Sequence, residues 1–522
     1  MICRPDLRSS WLVVAALSLS AAALAAPVAD PHALGRLEMA QGDMAAATRA
    51  FDRALALEPG NASLWADVGR LRYRAGQHHL AAEAAARAVE LDPREPRALE
   101  FQAQLTRDAV GVVAALPWFE RALEESPDDI DLLGEYGATL GEAGRHKDML
   151  RVARRMVELD PRHPRAHYLQ AILAARAGMD DLARRLLSRT GGAYDELPAG
   201  QLLAGALELR AGNAALAAGR FDDLARRQPD NAVASLLLGR ALLANGEANE
   251  VVARLGAAAD RRDASPYLLA LVGRAYEQLG RREEAARYLD RAAGPLPSAI
   301  GVLPAGDGAL ADGAGSDVAR VRALLAQARP GEARALTARL RQRHPDSIDV
   351  EILSGDVALL SGDTAGALAY YRRAASVRRG FALVERIAAA EVLLGREDPA
   401  IAVVSAHLAA NPRSAAASAL LGRMLAQRGD WRRAGLLLEH AQGLADGDAR
   451  LLADLAEVRL ALGDGEGAEA AARRSHALQR GNGRVAVALA RVIEASESES
   501  GETQALLAKA RSMSPPAALA RR

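Results

Sequence analysis

Proline recurs along this chain at a fixed interval. The interval is 34 residues, or twice that, between successive members of the set Pro59, Pro93, Pro127, Pro161, Pro229 and Pro297. A constant period of about 20 to 50 residues is typical of proteins built from stacked repeats, each of which is too small to bury a core alone. The sequence therefore predicts an array of repeats rather than a set of separate globular domains.

The composition favours helices in these repeats. Half of the residues are apolar but only 3% are aromatic, and most of the apolar residues are Ala and Leu. Strands are usually richer in β-branched and aromatic residues, so a large sheet is disfavoured. Basic and acidic residues balance at 66 each, which gives no indication of a nucleic-acid or anionic-membrane surface.

Small residues recur at fixed places in the 34-residue period. With the first unit taken as 28–61, position 8 is Gly or Ala in thirteen of fourteen units, as at Gly35 and Gly69. Position 15 is Gly in eleven units, as at Gly42, where a helix must end in a left-handed residue. Position 20 is mostly Ala, position 24 is large and apolar in most units, as at Phe51, and position 32 carries the prolines.

This pattern resembles the tetratricopeptide repeat. The resemblance covers nearly the whole chain and implies an all-α fold, a right-handed superhelical solenoid of antiparallel helix pairs with about 14 units. It also implies that the first helix of each unit lines a concave groove. Glycine inside a helix costs about 1 kcal/mol relative to alanine, so its recurrence at position 8 indicates close packing between the paired helices.

The register breaks once. Pro297 and Pro345 are 48 residues apart, and the surplus falls in 298–315, which is rich in Gly, Ala and Asp. We expect a flexible insertion there, between an N-terminal array of about eight units (26–297) and a C-terminal array of about six (316–514). The last unit is degenerate and acidic, as expected of a polar cap, and 515–522 is a tail.

Residues 1–25 are predicted to be a secretory signal peptide. Arg4 and Arg8 precede an apolar stretch that ends in Ala23-Leu24-Ala25, a small-x-small cleavage site. An uncleaved membrane anchor is the alternative. The only cysteine, Cys3, lies before the apolar stretch, where it cannot serve as a lipoprotein cysteine. We therefore expect a periplasmic or secreted protein, without a transmembrane span after cleavage.

No pattern in the sequence predicts catalysis, a metal or a cofactor. His163 and His167 are four residues apart, but Pro164 lies between them at the start of a unit, so we expect them to straddle a turn and a helix start rather than to hold a metal. No Ser, His and Asp arrangement has the turn context that a nucleophile needs. The chain is predicted not to be an enzyme.

Arginine is frequent at positions that the resemblance places in the groove. The candidates for ligand binding are Arg36, Arg70, Arg74, Arg107, Arg240, Arg274, Arg322 and Arg423. The pairs Arg36 with Arg70 and Arg240 with Arg274 are the strongest, because guanidinium groups hold carboxylates through paired hydrogen bonds. The alternative is that these arginines form ion pairs with nearby Asp or Glu.

These features predict a non-catalytic scaffold for other envelope proteins, in exopolysaccharide synthesis or export, or in outer-membrane or secretion assembly. The alternative function is direct binding of an acidic polysaccharide or peptide in the groove. A carbohydrate ligand is disfavoured by the shortage of aromatic side chains on which sugar rings could stack. Only three tryptophans follow the apolar stretch, Trp65, Trp118 and Trp431, and packing accounts for each.

Overall fold

The computed structural model describes residues 30–229, 231–261, 264–293, 314–327, 329–445, 447–480, 482–496 and 501–513. The predicted signal peptide and tail lie outside these residues, as does the predicted insertion except for its last two residues. Those two residues begin a helix at Ala314.

The described residues form twenty-eight α-helices and no strand, which confirms the all-α prediction. The helices pair into fourteen units. The first helices of the units are α1 (Pro31–Gln41), α3 (Ala62–Arg74), α5 (Pro96–Ala109), α7 (Ile130–Glu142), α9 (Pro164–Arg176), α11 (Pro198–Arg210), α13 (Ala232–Ala244), α15 (Pro266–Gln278), α17 (Ala314–Ala326), α19 (Ile348–Leu360), α21 (Phe381–Leu393), α23 (Ala415–Gln427), α25 (Ala449–Ala461) and α27 (Gly483–Ser496). The second helices are α2 (Met44–Leu57), α4 (His78–Leu91), α6 (Val112–Glu125), α8 (His146–Leu159), α10 (Asp180–Ser188), α12 (Ala214–Arg227), α14 (Ala248–Asp260), α16 (Arg282–Ala293), α18 (Pro330–Arg343), α20 (Thr364–Ala375), α22 (Glu397–Ala410), α24 (Trp431–Leu444), α26 (Gly465–Leu478) and α28 (Gly501–Met513).

The helices belong to two compact units of unequal size. The smaller contains α1 and α2 and ends at Pro59, and the larger contains α3 to α28 and begins at Gly60. The helices on both sides of the predicted insertion belong to the larger unit. Within it each helix packs mainly on its neighbours in sequence, and contacts between distant helices include those of α6 with α22 and of α16 with α27.

The turn inside eleven of the units has the conformation that the sequence predicts. All eleven glycines at position 15 have a positive φ, between 72° and 87°. After α3, the Gln77 N–H donates to the Arg72 carbonyl across 2.9 Å, and after α7 the Arg145 N–H donates to the Leu140 carbonyl across 2.8 Å. These are the six-to-one bonds of a Schellman motif, which satisfy the last carbonyls of a helix.

The prolines at position 32 stand just beyond the second helices. Pro59 follows the C-cap residue Glu58 of α2, and Pro93 follows the C-cap residue Asp92 of α4. Proline cannot continue a helix because it lacks the N–H and its ring meets the preceding turn. The predicted role of these prolines as helix stops is therefore confirmed.

Position 8 is small because a large side chain occupies the space next to it. A Cβ added to Gly35 or to Gly205 would lie 2.5 Å from the ring of Phe51 or Phe221, the position-24 residue of the same unit. Both rings are buried. The helix backbones also approach, but less closely, since a Cβ on Gly422 would lie 3.3 Å from the Ala434 carbonyl oxygen. Room for the position-24 side chain is thus the main reason for glycine.

We expect Gly355→Ala to lower the free energy of unfolding by about 1–3 kcal/mol, because overpacking a buried site outweighs the gain in helix propensity. The new Cβ would lie 2.6 Å from Cδ1 of Tyr371, which is fully buried and whose hydroxyl donates to Asp356. Denaturant unfolding followed by circular dichroism measures the change.

The matched control is Gly219→Ala in α12, where no atom lies within 4 Å of the added Cβ. That variant should be more stable by about 1 kcal/mol, the helix-propensity difference. Equal effects of the two substitutions would contradict the packing role of position 8.

Candidate functional site

The first helices of successive units pack on one another in the larger compact unit. The contacting pairs include α3 with α5, α7 with α9, α13 with α15 and α25 with α27, whereas the second helices make their main contacts with first helices. Because the first helices approach one another more closely, the stack is tighter on their side. We call the surface formed by their outward side chains the first-helix face, and it corresponds to the groove that the resemblance implies.

The eight arginines selected from the sequence have different surroundings. Arg36 is exposed on α1, which belongs to the smaller compact unit, whereas Arg70 belongs to the larger compact unit. Arg74 and Arg240 are exposed on α3 and α13. Arg274 is exposed, and its guanidinium donates to the Leu478 carbonyl.

The other four arginines are half-buried. Arg70, Arg107 and Arg423 form ion pairs with acidic residues of a neighbouring first helix. Burial lowers the pKa of Arg322, and the nearby Asp356 opposes that change. Ion pairing, the alternative considered for these arginines, therefore accounts for at least three of the eight.

The ion pairs between α3 and α5 form a chain of four residues. The buried Asp67 carboxylate accepts from Arg70 and from Arg97, each across 3.2 Å. Arg70 also donates to Glu100 across 2.6 Å. Burial raises the pKa of Glu100, and the opposing effect of Arg70 does not cancel it. Two guanidiniums and two carboxylates thus neutralise one another here.

A similar group joins α5, α7 and α9. Glu135 accepts from Arg165 across 2.7 Å and from Arg107 across 3.4 Å. Burial alone would raise the pKa of Glu135, but its bonds to Arg165 and Arg107 outweigh burial and hold the pKa below its ordinary value. Charged hydrogen bonds of this kind contribute more to stability than neutral ones.

These pairs follow a rule in the sequence. An arginine at position 2 of one unit bonds an acidic residue at position 6 of the unit before, 30 residues earlier, in three places. The three pairs are Arg97 with Asp67, Arg165 with Glu135 and Arg484 with Asp454. Sequence reasoning missed the acidic partners because it considered only the arginines of the groove positions and not the acidic residues at position 6, although the 30-residue spacing was present to be found.

One ion pair is completely buried. Arg386 Nε lies 3.0 Å from Asp356 Oδ1, with 3% and 1% of the two side chains exposed. Tyr371 donates to the same oxygen across 2.6 Å. Burial raises the pKa of Asp356, against the opposing effect of Arg386. Removing one member of such a pair typically costs about 3–5 kcal/mol, so this group holds α19, α20 and α21 together.

Three arginines of the first-helix face, Arg423, Arg450 and Arg484, lie close together near the C-terminal end. Asp454 Oδ1 accepts from Arg484 across 2.7 Å, and its Oδ2 accepts from Arg423 across 3.3 Å. Arg450, at position 2 of the same helix as Asp454, has a buried Nε that lacks a hydrogen-bond partner among the described residues. Burial lowers the pKa of Arg450, and Arg423 and Arg484 lower it further. Asp454 and Asp448 oppose that change, and the Glu385 carboxyl group also interacts with Arg423 and Arg450.

A cavity of about 370 Å³ lies away from this cluster, where α10 has only nine residues and the connection to α11 is long. Its charged lining residues include Arg184 and Glu208. Arg184 already bonds Asp181, and Glu208 already accepts from Asn213. The cavity lies beside a shortened second helix, and two of its charged groups are already bonded within the protein.

The histidine pair of the sequence lies as predicted. His163 is the N-cap residue of α9, while His167 is buried inside that helix with Nε2 3.0 Å from the Pro161 carbonyl. No group of three His, Cys, Asp or Glu side chains in the described ranges could hold a metal ion. None of the helices described is both long enough and apolar enough to cross a membrane.

The three tryptophans differ in exposure. Trp65 and Trp118 are half-buried and pack against apolar clusters, and the Arg121 guanidinium lies 4.8 Å from the Trp118 ring centre. Trp431 is 38% exposed at the start of α24. Packing therefore accounts for two of the three.

Comparison with solved structures finds helical proteins of low similarity. "Crystal structure of APC/C hetero-tetramer Cut9-Hcn1" covers 93% of each chain at 13% identity and a TM-score of 0.32. "Crystal structure of MamA" covers 30% of this chain and 93% of that one at 19% identity and a TM-score of 0.28. No curated protein sequence matches.

Comparison with protein families is more informative. Two family models described as tetratricopeptide repeat match, one at residues 32–78, 67–130, 202–250 and 318–380 and the other at residues 267–294. The matched residues include α1 to α6 and members of both predicted arrays. With the paired helices, the left-handed glycine turns and the packing at position 8, these matches show that the chain is an all-α solenoid carrying tetratricopeptide repeats.

Proposed function

We propose that the protein is a non-catalytic scaffold of the bacterial cell envelope, which binds other proteins through the first-helix face. Tetratricopeptide repeats support binding to proteins in general. The export signal predicted in 1–25 supports the envelope location. Service to exopolysaccharide synthesis or export, or to outer-membrane or secretion assembly, is the finer part of the proposal.

The observation that carries the proposal is the guanidinium cluster of Arg423, Arg450 and Arg484. Elsewhere on the first-helix face, as at Asp67 and Glu135, basic groups are matched by carboxylates of neighbouring helices. The cluster has one carboxylate in direct contact, that of Asp454. A ligand carboxylate next to Arg450 would supply the hydrogen bond that its buried Nε lacks.

A second candidate function is direct binding of an acidic polysaccharide, because its carboxylates could fill the same place. The exposed tryptophan, Trp431, is on a second helix and lies outside the first-helix face. Sugar rings usually require aromatic contact in addition to charge. An acidic protein segment therefore fits the cluster better than a polysaccharide does.

We expect Arg450→Glu combined with Arg423→Glu to weaken the binding of an acidic envelope protein at least about tenfold, because charged hydrogen bonds are each worth about 1.5–3 kcal/mol. The measurement is affinity capture of tagged protein from an envelope extract, followed by calorimetry with the captured partner. A glycan array, run with the same two proteins, tests the polysaccharide.

Arg432→Glu is the matched control, since Arg432 is exposed on α24, the second helix of the same unit as Arg423. It should leave binding unchanged. Capture that is equal for all variants would refute the role of the cluster, and binding to acidic glycans without any protein partner would favour the second candidate.

Export is tested separately. In a bacterial host, we expect the mature protein to begin at Ala26 and to be released with the periplasmic fraction, as N-terminal sequencing and fractionation will show. Leu17→Arg places a charge in the apolar stretch and should retain the full-length chain in the cytoplasm. Wild-type protein found uncleaved in the cytoplasm would contradict the envelope location.

A further inference from the structure

Turns of the early units contact turns that lie about eight units later in the chain. On one side are the turns of units 2, 3 and 4, which contribute His78, Asp108, Gly111, Val112 and His146. On the other side are the connections from unit 9 to unit 12, which contribute Asp346, Ile348, Arg379, Asn411 and Arg413. We call this contact the seam, and it lies entirely within the larger compact unit.

Backbone hydrogen bonds cross the seam at several points. The His78 N–H donates to the Asp346 carbonyl across 3.0 Å, and the Arg379 N–H donates to the Asp108 carbonyl across 2.7 Å. The Val112 N–H donates to Oδ1 of Asn411 across 3.3 Å. These donors and acceptors stand at helix ends, where the groups that a helix leaves unsatisfied need partners.

The two sides of the seam also fit closely. Ala82 of α4 packs against the apolar cluster that contains Ile348. Gly111 has a φ of 140°, and a Cβ added there would lie 2.6 Å from the Asn411 amide nitrogen and 2.7 Å from the Ala410 Cβ. The absence of a side chain at Gly111 thus allows the contact between α6 and α22.

His78 is buried at the seam with 4% of its surface exposed. Its Nδ1 accepts from the Ile348 N–H across 3.5 Å. A proton on Nδ1 would break this bond, because two N–H donors would then face each other. The titratable and charged groups around it are Tyr73, His79, Asp349 and Arg378. Burial lowers the pKa of His78, and Arg378 and His79 lower it further, against Asp349.

His146 faces two arginines. Its Nε2 lies 2.7 Å from Nη1 of Arg176, and a guanidinium can only donate, so that imidazole nitrogen must be unprotonated. The side chain of Arg413 lies beside Gly144 in the same turn. Burial lowers the pKa of His146, and Arg176 and Arg413 lower it further.

His407 supports the Asn411 side chain that bonds Val112. It is buried, and its Nδ1 lies 3.4 Å from the Asn411 amide nitrogen, which is a donor only. Nδ1 must therefore accept. The Phe381 ring lies 5.7 Å away, centre to centre, and the charged group that faces His407 is Arg379. Burial lowers the pKa of His407, and Arg379 lowers it further.

One further side-chain contact crosses the seam. Nε2 of His79 lies 3.1 Å from Oε2 of Glu351, which also accepts from Arg373 across 2.6 Å.

We propose that the seam is an intramolecular latch between early and late units that is closed at neutral pH and opens on acidification, with His78, His146 and His407 as its proton acceptors. His78 accepts its bond across the seam, from the Ile348 N–H, whereas His146 and His407 accept theirs from Arg176 and Asn411 on their own side of it. The latch is independent of the proposed function.

The direction of the pH dependence of the latch follows from proton linkage. The three histidines have lower pKa values in the closed seam than in the open one, where they approach the ordinary value of about 6.5. The open form therefore binds more protons as the pH falls below that value. The stability that the neutral imidazoles give the seam is full above about pH 6.5 and is lost progressively as the pH falls through their lowered pKa values.

Hydrogen exchange of the full chain tests the latch. After correction for the intrinsic rate, we expect the amides of His78, Val112, Ile348 and Arg379 to lose at least about tenfold in protection between about pH 7.5 and about pH 5.5. Amides in the interior of α5 and α21 should keep their protection. Equal seam protection at both pH values, no seam protection at either, or a simultaneous loss in the helix interiors would each overturn the proposal.

The variant His78→Gln, His146→Gln and His407→Gln keeps an acceptor at each site but cannot become a cation. Its seam protection should no longer depend on pH. If the triple variant does not fold, His146→Gln alone, at the least buried of the three, should reduce the pH response. The control His163→Gln, in a turn away from the seam, should retain the wild-type response. A full response in the folded histidine variants would overturn the assignment.

Discussion

The fold depends on the contact between a small residue at position 8 and a large side chain at position 24 of the same unit. Gly35 with Phe51, Gly205 with Phe221 and Gly355 with Tyr371 are examples in which the ring occupies the place of a Cβ. This contact fixes how closely the two helices of a unit approach. Because each unit then presents a similar face to the next, the same local constraint repeated along the chain produces the solenoid.

Much of this was predictable, because the constraints that form a unit lie within about 34 residues of one another. The left-handed glycines such as Gly76 and the prolines such as Pro93 act through the backbone of their own turn. The surroundings of the candidate arginines were harder to predict. The partners of Arg70 and Arg107 belong to neighbouring helices, and Arg274 bonds a carbonyl 204 residues away.

The charges of the first-helix face illustrate how structure and binding compete for the same groups. Asp67 and Glu135 bind arginines from adjacent units and so stabilise the stack, but those arginines are then less available to a ligand. Arg450 differs because its buried Nε has no hydrogen-bond partner among the described residues. A candidate binding residue is therefore better identified by a polar atom left without a partner in three dimensions than by the recurrence of arginine in the sequence.

The seam has a consequence for how such a chain can evolve. Repeat arrays commonly change length by duplicating or losing a unit, since each unit contacts only its neighbours. Here the turn at Gly111 meets Asn411 at the far end of eight intervening units. Adding or removing one repeat between the two sides would move every residue of the seam away from its partner. The number of repeats between the two sides is therefore constrained, as the number of strands is in a closed barrel.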